Sequence, residues 1–413
     1  MSSLPSGYGS QALALKYLGV PFEHWKICEW AVKSIQAYKD IHFTDKDIEL
    51  NSKRTKEDMI EFLYQKGISS NYNEPMTKEQ ISRLSENQLK TIIKNIAITH
   101  NLVNIQQVKG KDLEIVDTDK YDYIMTYSFP CQDLSLAGKG KGMSDTSTRS
   151  GMLWEVERIL QECKDLGELP QVLLMENVPQ VHGADNLEDF NKWKLRLEEL
   201  GYNNYFQDLI ATDYGMPQTR NRCFMVSILG DYSYTFPKPI PLKLKLKDML
   251  EDNVDEKYYL SDKQIQDIQS WNAYEKPLEN MEKTDKTNIS PTLTTRSGAY
   301  AAGMILVKNA TKKGYLEAEE GDGVDISSRM EHHRGTVQKG KAQTLTTSGG
   351  NDRGVVNNMR IRKLTPRECG RLMGVKNEDF ENCKKNQSDS SLYHLAGDSI
   401  VVNVLMAIFK EMI

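Results

Sequence analysis

The sequence predicts an α/β fold built around an open sheet, and three stretches predict it. Apolar runs ending at Tyr123-Ile124-Met125, running through Leu173-Leu174-Met175, and spanning Cys223 to Ile228 read as strands. Each adjoins a cluster of polar or special residues. The first breaks at Ser128-Phe129-Pro130 and leads to Cys131, and the second ends in Glu176, Asn177 and Pro179. The third is preceded by Gln218, Arg220 and Arg222 at period-two spacing, which in a strand aims all three side chains at one face. In open α/β sheets ligands bind outside the carboxyl ends of the strands, so these clusters mark a site.

Taken in chain order, the first segment is glycine-rich and then helical. SGYGSQALALKYLGV offers Leu13, Leu15, Leu18 and Val20 as an apolar face, and HWKICEWAVKSIQAYKDIH follows. In nucleotide-type folds the glycines of the first strand-to-helix turn let the backbone approach the ligand, and an acid ending the second strand grips ribose hydroxyls. Gly7, Tyr8, Gly9 and Ser10 form that turn, with Glu29 as the acid and Trp30 beside it. Only Met1 to Leu4 precede the turn, and Pro5, which donates no ladder hydrogen bond, stands next to it. The expectation is therefore a missing or truncated first strand, a loosely held turn and weak cofactor binding. Residues from about 43 to 92 are charged and mainly helical.

A glycine- and lysine-rich stretch from Gly138 to Gly142 follows Cys131 and suits a loop that closes over a ligand, with Lys139 and Lys141 as phosphate contacts joined by Ser135. Leu153 opens the next helix. PKPIPLK marks a linker at Pro237 to Lys243, after which short strands and turns dominate. The string TLTT occurs twice there, at Thr292 to Thr295 and Thr344 to Thr347, and reads as an internal duplication. Each copy leads through glycine into an apolar strand. Near the end, IRKLTPRECGRLMGV and LAGDSIVVNVLMAIF return to helical patterning, where Asp398 or Ser399 can cap the final helix.

At 413 residues, with 39% hydrophobic and 27% charged residues, the chain accommodates a large α/β core and a smaller second domain. Six scattered cysteines, with no CxxC pair and no His-Cys clustering, argue for reduced thiols and against a structural zinc site, so no metal is expected. No stretch of about 20 apolar residues is apparent and the start lacks a signal pattern, so the expected location is the cytoplasm, away from membranes. The net charge of −5 is unusual for a nucleic-acid partner, but seven Arg or Lys stand against one acid between His333 and Lys363, a local basic face.

In this order, TYSFPCQDLS, LLMENVPQ and DYGMPQTRNRC closely resemble the ordered motifs of the DNA (cytosine-5)-methyltransferases, and the resemblance runs from Ser6 to Leu405. It implies a Rossmann-like S-adenosylmethionine-dependent methyltransferase sheet with a β-rich target-recognition domain. The implied boundaries are 1–235 for the catalytic domain, 236–359 for target recognition and 360–413 for a return to the catalytic domain. Residues 43–92 then form a surface insertion where the family has a short connection.

The implied chemistry is methyl transfer from S-adenosylmethionine to C5 of a cytosine flipped out of duplex DNA. Cys131 would add to C6, Glu176 would hold N3 and the exocyclic amine, and Arg222 would hold O2 beside Arg220. Cofactor contacts fall on Gly7, Tyr8, Gly9, Ser10, Glu29, Trp30, Asn104, Ile105, Pro130, Leu153, Asp398 and Ser399. DNA contacts fall on Gln132, Ser135, Lys139, Lys141, Thr295, Arg296, Arg334, Thr347 and Arg353. A monomer acting with S-adenosylmethionine on double-stranded DNA is expected, encoded by a bacterium or phage and paired in some settings with a cognate restriction endonuclease. Two alternatives share the motifs: a transfer-RNA cytosine methyltransferase, and a sequence-specific DNA-binding homologue with impaired catalysis.

Overall fold

The computed structural model of the chain describes residues 2–3, 7–50, 54–129, 152–261, 305–311, 315–327, 335–347, 352–357 and 360–412. Its first two-thirds alternate strands and helices. These are β1 (Ser2–Ser3), α1 (Ser10–Leu18), β2 (Lys26–Ile27), α2 (Val32–His42), α3 (Lys56–Lys66), α4 (Lys78–Ser82), α5 (Glu86–Ile98) and β3 (Ile124–Ser128). They continue with α6 (Met152–Leu166), β4 (Val172–Asn177), α7 (Leu187–Leu200), β5 (Tyr202–Ile210) and β6 (Asn221–Leu229). The six strands form one sheet in the order β2-β1-β3-β4-β6-β5. Strands β2, β1, β3 and β4 run parallel, and β6 lies antiparallel between β4 and β5. Because β6 runs the other way, its start and the ends of β3 and β4 lie at one edge of the sheet.

The expected loss of the first strand is corrected. Ser2 and Ser3 pair in parallel with both β2 and β3, so even two residues occupy the central position. Helix α1 buries Leu13 and Leu15 and packs with Leu405, Ile408 and Phe409 of the closing helix, while Leu18 and Val20 are only partly covered.

The insertion folds because its caps and apolar spacing agree. Thr55 with Asp58, Thr77 with Gln80 and Ser85 with Gln88 form reciprocal capping boxes at the starts of α3, α4 and α5. Met59, Leu63, Ile81, Leu89 and Ile93 then converge on Ile35 of α2 in a core of their own. This segment is a packed extension of the main sheet's helical layer, with its polar faces outward.

A four-stranded antiparallel sheet, ordered β10-β9-β11-β12, comprises β9 (Gly323–Asp325), β10 (Val337–Gln338), β11 (Arg353–Asn357) and β12 (Arg360–Lys363). Beside it β7 (Ile305–Lys308) and β8 (Tyr315–Ala318) form a two-stranded ladder. The strands expected after the two TLTT strings are β7 and β11. Since β12 pairs with β11, the boundary expected between 359 and 360 falls inside a hairpin. Arg362 of β12 is fully buried and bonds Glu368 through two nitrogens, at 2.8 and 2.7 Å, fastening this sheet to the next helix.

Four helices close the chain: α8 (Pro366–Leu372), α9 (Asn377–Lys384), α10 (Asp389–Asp398) and α11 (Val402–Lys410). By length and hydropathy the stretch 389–410 could cross a membrane, contrary to the expectation that no such stretch exists. It is broken at Ser399 to Val401 into two helices, and 72% of its apolar window is buried in the core.

Candidate active site

The ends of β3 and β4 and the start of β6 converge, and the polar clusters of the sequence meet there. Ser128 stands opposite Glu176, and Glu176 opposite Phe224, so the Glu176 carboxyl group emerges where the sheet ends. Arg222 Nε lies 3.0 Å from Glu176 Oε1, with both side chains largely buried. The N–H does not point along that line, so Oε1 is an ion-paired oxygen without a completed hydrogen bond among the described residues. A second guanidinium nitrogen is fixed by the Asn221 carbonyl at 2.7 Å. The result is a buried carboxylate beside a braced cation, with acceptor capacity to spare.

Asn177 holds the neighbouring strand end. Its Nδ2 donates to the Phe129 carbonyl at 3.0 Å and its Oδ1 accepts from Val178 N at 2.8 Å. The amide thereby fixes the backbone immediately ahead of Pro130 and Cys131. Those two residues, and the DNA-contact candidates Gln132, Ser135, Lys139, Lys141, Thr295, Arg296 and Arg334, lie outside the described residues. So does the first TLTT copy.

Gln218 and Arg220 point to the buried side, as period-two spacing predicts, and both bond backbone. Arg220 donates to the carbonyls of Leu345 at 3.2 Å and Gly397 at 2.8 Å. Gln218 donates to the Leu372 carbonyl and accepts from Leu345 N. Residues 342–345 run alongside 217–219: Ala342 N donates to the Pro217 carbonyl at 2.8 Å, and Thr219 N to the Ala342 carbonyl at 3.0 Å. The second TLTT copy is thus sewn to the catalytic sheet, whereas the sequence placed it in a base-reading loop. A Cβ on Gly397 would sit 2.5 Å from the Thr346 carbonyl carbon, so the end of α10 also presses on it. Arg353 is turned inward as well, bonding the Thr344 and Asp352 carbonyls, while Thr347 stays exposed.

The glycine turn is held firmly, which corrects the expected looseness. Tyr8 N donates to Ser399 Oγ at 2.9 Å, Tyr8 hydroxyl donates to the Leu392 carbonyl at 3.0 Å, and His42 Nε2 donates to the Tyr8 carbonyl at 3.0 Å. The Tyr8 ring is therefore core, and only its backbone lines the turn. Gly7 and Gly9 have φ of 47° and 68°, and a Cβ on either would collide with Ser399 Oγ or with His42 and Tyr38. Just beyond, Ser10 Oγ and Gln11 Oε1 are buried at the start of α1 without a hydrogen-bond partner among the described residues. Two orphaned polar atoms beside free helix N–H groups fit a polar ligand.

The remaining candidates surround this turn or support it. Glu29 is buried, accepts from Ala31 N at 2.8 Å, and has both backbone groups held by the Asn101 side chain. Trp30 packs against the insertion's core. Asn104 caps a short 3-10 turn through its Oδ1, Ile105 is partly buried, and Leu153 is core. Asp398 lies 3.0 Å from His394 Nε2, in an ion pair if the imidazole is protonated. The sequence carries no signal for Asn101 or His42, since neither sits in a recognisable pattern. It also gave none for a group of potential metal ligands, His182, Asp208 and Cys223, whose atoms lie within 4.8 Å of one another on three separate elements. Burial first, then the carboxylates of Asp208 and Glu176, push the Cys223 thiol well up, which disfavours the thiolate a metal requires.

A mixed sheet with a glycine turn held by the last helices, and a carboxylate-arginine pair at the strand ends, define a methyltransferase-type α/β protein. Solved structures agree in fold: the Entamoeba histolytica methyltransferase EhMeth superposes with a TM-score of 0.58 at 13% identity, covering 100% of this chain and 96% of that one. The S. pombe Dnmt2 methyltransferase gives 0.52 at 16% identity over 99% and 96%. The family model for C-5 cytosine-specific DNA methylases matches residues 74–413, and the chain belongs to that family. The type II methyltransferase M2.ScrFI of Lactococcus lactis subsp. cremoris is 32% identical, covering 98% of this chain and 97% of the relative. The orphan methyltransferase M.SssI of Spiroplasma monobiae is 32% identical over 98% and 95%.

Proposed function

We propose that the chain methylates C5 of a cytosine flipped out of a specific duplex DNA sequence, with Cys131 as nucleophile. The observation that carries this reading is the Glu176–Arg222 pair, buried at the strand ends beside the backbone that Asn177 fixes just before Cys131. Cytosine C5 is a weak nucleophile until something adds at C6, and a thiolate both adds and leaves readily. Addition puts negative charge on the ring. Glu176 in its carboxylic-acid form then donates its proton to N3 and accepts from the exocyclic amine, and Arg222 stabilises O2, where the charge develops. Asn177 acts as a positioning residue through Phe129. Gln218 and Arg220 hold the start of β6 in place by their bonds to Leu345, Leu372 and Gly397.

S-adenosylmethionine supplies an electrophilic methyl group when bound. The residues suited to hold it are the Gly7–Ser10 turn, Ser10 and Gln11 with their orphaned oxygens, Glu29 at the ribose, and Asp398 with Ser399 at the methionine end. Target recognition is assigned to residues 236–359, of whose four-stranded sheet only β12 belongs to the segment that follows. Incubating the protein with S-adenosylmethionine and duplex DNA carrying 5-fluorocytosine should yield a denaturation-resistant protein–DNA adduct, because fluorine blocks the proton loss that frees the enzyme. Cys131→Ala should form none, and an adduct in that variant would reject the assignment. An equal yield on transfer RNA would favour the RNA-acting alternative.

A further inference from the structure

The helical insertion brings one residue to the cofactor turn that no motif contains. After α3 the chain makes a compact loop from Ser69 to Met76, and this loop is fastened to the end of β2. Val32 N donates to the Ser69 carbonyl at 2.9 Å and Ser69 N to the Trp30 carbonyl at 2.8 Å, so the loop runs directly beside Glu29 and Trp30. Ser69 Oγ, fully buried, accepts from Tyr72 N and donates to the Glu74 carbonyl, while Asn71 Oδ1 accepts from Asn73 N and Glu74 N. These bonds force Tyr72 to φ of 63°. For a bulky side chain that backbone is strained by roughly 1–3 kcal/mol and persists only where its surroundings impose it.

The strain delivers an aromatic ring to a defined place. Tyr72 stacks on His394 of α10 with ring centroids 3.7 Å apart, and His394 in turn sits 3.0 Å from Asp398. The Tyr72 hydroxyl is buried beside Ser34 and Ser391, with no hydrogen bond of good geometry among the described residues. Burial first, then the Glu29 and Asp398 carboxylates, hold it protonated up to about 12, so it stands as a donor within the electrostatic reach of both acids.

We propose that Tyr72 is a further binding residue for the purine ribonucleoside part of the methyl donor, lent to the pocket by the insertion. The ring closes the side of the pocket between Glu29 and Asp398, and the hydroxyl bonds the nucleoside. This rests on the reading that the Gly7 turn binds S-adenosylmethionine. Calorimetry of the full chain with S-adenosylhomocysteine, without DNA, tests both separately. Tyr72→Gly should weaken binding about tenfold, the combined scale of an aromatic contact and a hydrogen bond. Its ligand-free melting temperature should fall, because the loss of the ring's stacking on His394 outweighs relief of the positive φ. Tyr72→Phe keeps the ring and should lose about fivefold, the hydroxyl's share. Wild-type affinity in either variant would overturn the proposal, and so would weaker binding by Tyr72→Phe that comes with a lower ligand-free melting temperature, since the role would then be structural. Absence of binding by the unaltered protein would overturn the methyl-donor reading itself, and this proposal with it.

Discussion

Arg220 and Arg222 stand two residues apart on one edge of the sheet, yet their guanidinium groups meet different partners. Arg222 faces a carboxylate at the site, and Arg220 ties two carbonyls from distant segments. Replacing them should therefore fail in different ways. Arg222→Ala and Glu176→Gln should each slow single-turnover methylation roughly 10²-fold or more, the scale of losing one donor to developing charge, with DNA affinity little changed. Arg220→Ala should instead lower stability by about 2–4 kcal/mol, from two charge-assisted bonds, and shift the thermal midpoint. An unchanged midpoint with a lost rate would move Arg220 into the chemistry. The ENV and QTRNR clusters, which meet at the strand ends, were legible in the sequence because each is local, a handful of residues whose spacing is the signal. Arg353 was not, because the carbonyls and acids that turn it inward are brought to it by the fold.

At the scale of elements, the glycine turn is held by contacts from distant parts of the chain. The sequence missed what holds the turn: three bonds to one residue, Tyr8, from partners 34 to 391 positions away. Periodicity carries no trace of such contacts. Gly9→Ala should destabilise the protein by roughly 1–3 kcal/mol, because φ is positive and the added carbon meets His42 and Tyr38 inside contact distance; chemical unfolding would show it. The same corner should make the protein acid-sensitive. Burial lowers His42 to about 4 and His24 to about 3, so both are neutral when folded, while the unfolded chain protonates near 6.5. Their contribution is fully present above about pH 6.5 and is lost as pH falls through about 4 and then 3, amounting to ~3 kcal/mol for His42 alone. Denaturant midpoints measured from pH 7 to pH 4 should fall, and His42→Gln should flatten the slope.

Across the whole molecule, the β-rich region and the catalytic sheet are interlocked through residues 342–347. Exchanging Lys243 to Met359 for the corresponding segment of another family member is the natural way to transfer specificity, since that region lies outside the catalytic motifs. The bonds from Gln218, Thr219 and Arg220 to residues 342–345 predict that the full exchange yields poorly folded protein. An exchange that retains Ala342 to Thr347 and returns before Arg353 should move the methylated sequence with chemistry intact, and bisulfite sequencing would read the difference. Original-site methylation after that exchange would place specificity elsewhere. Glu368→Ala should also be costly, about 3–5 kcal/mol, because Arg362 would be left fully buried and uncompensated.

The bond from Tyr8 N to Ser399 Oγ spans 391 positions of sequence. During synthesis the residues of the glycine turn leave the ribosome early and wait for almost the entire chain before Leu392 and Ser399 arrive to fix them. A contact of such high sequence separation forms late, after the loop it closes has been ordered by other means. The nascent protein therefore cannot fasten its glycine turn until Leu392 and Ser399 emerge, and a ribosome stalled before Leu392 would display an insertion with its own core beside a turn still without those two bonds.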